Sequence, residues 1–126
     1  MKRLFVIPLL LSVIFLAGCP PEKDARDAIA AAHGVITAAQ AQWTTTCRAQ
    51  PTQAKCQAVN KLIQAQHLAA DALTTYCGGV PPTGTPTYLD GGPCTPVTSA
   101  GGALRSAIQN MNSIVNDVNG LLKGGA

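Results

Sequence analysis

Charge and aromatic rings are both scarce in this sequence of 126 residues: 12% of the side chains are charged and 4% are aromatic. So little charge leaves no basic patch with interleaved aromatics, which argues against nucleic-acid binding. It also leaves no strong field to steer acidic or basic substrates. The chain has one glutamate, Glu22, and two histidines, His33 and His67. It has no G-x-S-x-G turn, and Ser99, Ser106 and Ser113 all fall in or near the last predicted helix. Gly101-Gly102 lacks the lysine and the following pattern of a phosphate-binding loop. No C-x-x-C pair is present, which weakens a zinc reading of the cysteines. No catalytic set emerges, so the expectation is a protein that is not an enzyme and uses no cofactor.

What is there begins at the N-terminus. Met1-Lys2-Arg3 is a short basic start, and Leu4 to Phe15 is apolar apart from Pro8 and Ser12. A basic start, an apolar run and small residues before a cut make a secretory signal peptide. The run is shorter than the roughly 20 apolar residues of a spanning helix. It closes on Leu16-Ala17-Gly18-Cys19, which resembles the lipobox of bacterial lipoproteins. The resemblance covers the first 19 residues alone. It implies cleavage before Cys19, a diacylglyceryl thioether on that cysteine and, in many species, acylation of the new amine. Two acyl chains anchor a protein stably, at roughly 0.8 kcal/mol per buried methylene.

On that reading 1–18 is a removed leader and 19–126 a single domain of 108 residues, lipid-anchored on the periplasmic or cell-surface side of a bacterial membrane. Loss of Lys2 and Arg3 lowers the formal charge from +3 to +1. Pro20-Pro21 runs at once into the charged stretch Glu22 to Asp27. With almost no tether, the folded part is expected close to the bilayer.

The remaining pattern is helical. From Glu22 to Thr46, Ala25, Ile29, Ala32, Ile36, Ala39 and Trp43 recur at alternating steps of four and three, a stripe on one helix face. Arg48 to Pro51 reads as a turn. A second helix is expected from a Thr52 N-cap to Tyr76, with Val59, Ile63, Ala70 and Leu73 as its stripe, extended by Cys56 and Cys77 and interrupted by Gln66. Gly78-Gly79 ends it. Residues 78–95 form a glycine- and proline-rich loop that suits neither helix nor strand. Thr95-Pro96 reads as an N-cap followed by proline at the first helical position. Leu104, Ile108, Met111, Val115, Val118 and Leu122 then mark the third helix. The fold expected is all-α, an antiparallel three-helix up-down-up bundle.

Four cysteines remain after Cys19, an even number that in an exported chain implies disulfides. Cys47 ends the first helix and Cys56 lies early in the second, so the two meet across a short turn. Cys77 ends the second helix and Cys94 precedes the third. The pairing expected is Cys47–Cys56 and Cys77–Cys94.

The histidines offer one possible site. In an antiparallel pairing of helices one and two, His33 and His67 fall within about one turn of each other, and Asp71 lies one turn after His67. Two imidazoles and a carboxylate suit zinc or copper. The simpler reading is two edge histidines, one of them beside Asp71. Trp43 reads as a core plug near Val59, and Tyr88 as a tether for the loop. The functional expectation is a membrane-anchored envelope lipoprotein with a structural or protein-interaction role and an envelope protein as partner. The alternative is a ligand- or metal-binding module built on His33, His67 and Asp71.

Overall fold

The computed structural model describes residues 21–124. The expected leader 1–18 and Cys19 lie outside the described residues, which are all-α with no strand. Helix α1 spans Pro21–Ala49, α2 spans Ala54–Tyr76 and α3 spans Gly101–Lys123, with 3-10 turns at Tyr88–Asp90 and Thr98–Ala100. Each long helix packs on the other two.

All six residues of the predicted α1 stripe are buried. Glu22 and Asp24 sit in its first turn and Arg48 in its last, each at the end where the helix dipole favours its charge. The helix continues three residues beyond Thr46, so the turn into α2 begins at Gln50. Half of the stripe is alanine, and Ala25, Ala32 and Ala39 are fully enclosed.

Helix α2 departs from its expected face. Its buried residues are Cys56, Val59, Leu62, Ala65, Ala69, Leu73 and Tyr76, while Ile63 and Ala70 are half-buried. Position 62 takes the place expected for 63, and 69 that expected for 70. A one-residue change turns a helix face by about 100°. The chosen face presents Ala65 and Ala69 to a core already lined by small α1 residues, an arrangement that admits close backbone approach. Gln66 is half-buried, and its Nε2 donates to the Ile29 carbonyl at 3.5 Å, a long contact that still gives the amide a partner. The N-cap is Gln53 rather than Thr52, and no side chain caps it.

Helix α3 carries a broad apolar face. Leu104, Met111 and Val118 are buried. Half-buried rows flank them at seven-residue spacing: Ala107, Ile114 and Leu121 on one side, Ile108, Val115 and Leu122 on the other. The helix starts later than Thr95-Pro96 predicts. The Thr95 N–H donates to the Cys77 carbonyl at 3.2 Å, and the Val97 N–H to the Tyr76 carbonyl at 2.7 Å. Those bonds hold 95–97 against the end of α2, a 3-10 turn follows, and Gly101 opens the regular helix.

Both expected disulfides are present. Cys47 and Cys56 bond with their Cα atoms 5.6 Å apart, and Cys77 and Cys94 with theirs 4.5 Å apart. Closing loops of this length in the unfolded chain stabilises the fold by about 3 kcal/mol each on the chain-entropy account. One bond fastens the end of α1 to the first turn of α2. At the opposite end Glu22 and Arg26 of α1 share a cavity with Cys77 and Cys94. Pro21 and Asp24 share another with Gly101 and Leu104. The start of α1, the end of α2 and the start of α3 therefore meet at one end of the molecule.

Two substitutions test this packing. Leu62→Ala is expected to cost about 2–5 kcal/mol and Ile63→Ala less than half of that, read by urea denaturation. Equal costs, or a larger cost at Ile63, would restore the face first expected. Gly34 lies mid-helix on α1, and a Cβ added there meets nothing within 4 Å. Gly34→Ala is expected to stabilise the protein by about 1 kcal/mol in the same assay.

Candidate functional sites at the two ends of the bundle

The candidate metal set does not assemble. His33, His67 and Asp71 are all exposed, and among the described residues no three of His, Cys, Asp and Glu are placed to hold a metal ion. The rotation of α2 explains this. With Leu62, Ala65 and Ala69 turned inward, His67 falls about 150° from the centre of the buried face at 100° per residue, and Asp71 is also on the outer side. His33 stays at the edge of the α1 stripe.

The Cys47–Cys56 end carries an open apolar groove of about 290 Å³, lined by Trp43, Cys47, Val59 and Ile63 with Arg48 and Asn60 at its border. Trp43 lines it and is only 2% exposed. The Lys55 ammonium lies 5.7 Å from the centroid of the indole ring, within range of a cation–π contact. Trp43 thus fills the core beside the disulfide, as its place on the stripe predicted. The half-burial of Ile63, a consequence of the α2 rotation, opens the groove beside it.

The opposite end is built by the loop. Tyr88 is buried, and its hydroxyl donates to the Gly79 carbonyl, so it tethers the loop to the end of α2. Thr87 caps the short turn: its hydroxyl donates to the Asp90 carboxylate at 2.9 Å and accepts the Asp90 N–H at 3.3 Å. Gly91 ends that turn at φ +87°, a left-handed conformation natural to glycine, and the Arg26 guanidinium lies 3.3 Å from where a Cβ would stand. At Gly92 an added Cβ would fall 2.1 Å from the Pro86 carbonyl oxygen, so only glycine fits. Glu22, Arg26, Tyr88, Gly91 and Gly92 enclose a small cavity of about 120 Å³ there.

Sequence reasoning did not mark Val80, Leu89 and Val97 together. They are 87%, 46% and 38% exposed. Lone apolar residues in a loop give no periodic signal. The Tyr88–Gly79 and Val97–Tyr76 hydrogen bonds, with the Cys77–Cys94 disulfide, bring all three to one end. The fourth large exposed apolar side chain, Leu68, stands apart on α2.

Among the described residues no helix is long and apolar enough to cross a membrane. Titration calorimetry of metal-free protein with zinc is expected to give no saturable heat, since His33, His67 and Asp71 are not placed to hold one ion together. A stoichiometric isotherm abolished by His67→Ala would reverse that assignment. No family model, no curated protein and no solved structure matches the chain.

Proposed function

We propose that the protein is a membrane-anchored envelope lipoprotein with a structural or protein-interaction role, held by lipid on Cys19 and acting on a protein neighbour. The observation that carries the reading is Leu16-Ala17-Gly18-Cys19 at the end of a basic-then-apolar leader. The structure is compatible with it in one respect. Helix α1 begins at Pro21, so one proline separates the lipid-bearing cysteine from the folded domain. The helices take an up-down-up order in this proposal, supported by the shared ends of α1, α2 and α3.

A mount this short limits what the domain can meet. A helix of 29 residues reaches about 44 Å at 1.5 Å per residue, so only close neighbours in the envelope are within range. The Trp43 groove at the far end is a recess for such a neighbour. The small charge of the mature chain favours apolar and hydrogen-bonded contacts over electrostatic capture.

Metabolic labelling of the full chain with palmitate is the direct test. Label is expected on the wild type and none on Cys19→Ser, with the variant lost from the membrane fraction. Crosslinking in native membranes is then expected to trap a protein neighbour on the wild type. An unlabelled wild type would refute the anchor, and a labelled protein that crosslinks to nothing would refute the interaction role.

A further inference from the structure

The chain that carries the proposed anchor enters the domain at the same end as the loop. Cys19 is two residues from Pro21, so its Cα lies within about 7 Å of the first residue of α1. Pro21, Glu22 and Arg26 line cavities with Gly101, Leu104, Tyr88, Gly91 and Cys94. This end also carries Val80, Leu89 and Val97, three of the four large exposed apolar side chains among the described residues. We infer that this loop end rests on the lipid bilayer, with Val80 and Leu89 entering the headgroup–acyl boundary. The inference rests on the lipoprotein reading.

The chemistry of the loop fits a lipid surface. Between Gly78 and Val97 the only charged side chain is Asp90. Its carboxylate already accepts the Thr87 hydroxyl, and its backbone N–H donates to the same oxygen. Moving this segment into the interface therefore strips water from few charges, which is the main cost of such a step. The disulfide Cys77–Cys94 and the buried Tyr88 hold the loop in shape, so little conformational freedom remains to be lost on contact. Two or three aliphatic side chains bind a membrane weakly by themselves. Attached to an acylated cysteine one proline away, the same contact becomes intramolecular and is occupied. The far end is carried away from the surface: Trp43 lies about 33 Å along α1 from Pro21.

Trp43 provides an internal reference for the test, as the one tryptophan of the chain. The full chain is expressed in bacteria, extracted in detergent and reconstituted into phosphatidylcholine vesicles with brominated acyl chains, which quench indoles at short range. Flotation with the vesicles reports the anchor. Quenching reports the loop. Wild type is expected to float and to keep its emission. Val80→Trp is expected to float and to lose the emission that its added indole contributes in unbrominated vesicles, and Leu89→Trp to behave likewise. Cys19→Ser versions are expected neither to float nor to be quenched. If the wild type floats while the added indoles stay bright, the inference is wrong and the anchor stands. Quenching of Trp43 as strongly as the added indoles would mean that the bundle lies along the bilayer, which also overturns it. Failure of the wild type to float removes the anchor and the inference together. Crosslinks from position 80 to a protein in native membranes, with no quenching in vesicles, would assign the patch to a protein partner instead.

Discussion

Alanine governs this fold. Ala25, Ala32 and Ala39 of α1 and Ala65 and Ala69 of α2 are enclosed, beside a small set of large side chains that includes Trp43, Leu62, Leu73, Leu104, Met111 and Val118. Burying an alanine costs no side-chain rotamer freedom but removes little apolar area from water. A core of this kind gains from close backbone approach and leaves a modest hydrophobic surplus. The two disulfides have most effect in such a setting, because each restricts the unfolded chain by an amount comparable to a well-packed large side chain.

The same dependence on small residues decides the face of α2. Between 62 and 73 the helix offers apolar side chains on several sides, so periodicity alone allows neighbouring phases. The alternating stripe of α1 has less such degeneracy, since apart from Val35 its flanks are polar or very small, and every predicted position is buried. On α3 the phase is also clear, and the structure adds that the central row is enclosed while its flanking rows are half-exposed. The late start of α3 comes from tertiary hydrogen bonds. Thr95-Pro96 is a sound local signal, but Tyr76 and Cys77 hold the backbone on either side of Pro96 before a helix can begin.

The candidate sites were less legible than the fold, for related reasons. The proximity assigned to His33, His67 and Asp71 depended on the rotational phase of α2, and a change of one residue moved His67 to the outer side. The disulfide pairing was legible because it needed only the order of the elements. The shared placement of Val80, Leu89 and Val97 at one end was not, because a loop without periodicity shows its neighbours only once Tyr88 is seen to reach Gly79.

Each disulfide joins a cysteine to the next one along the chain, with separations of 9 and 17 residues, and neither loop encloses or crosses the other. For a chain appearing N-terminus first, with Cys19 held by lipid as proposed, each second cysteine of a pair would find its native partner as the only free thiol already present. On that order sequential oxidation would give the native pattern directly, with no need for an isomerase to correct the bonds.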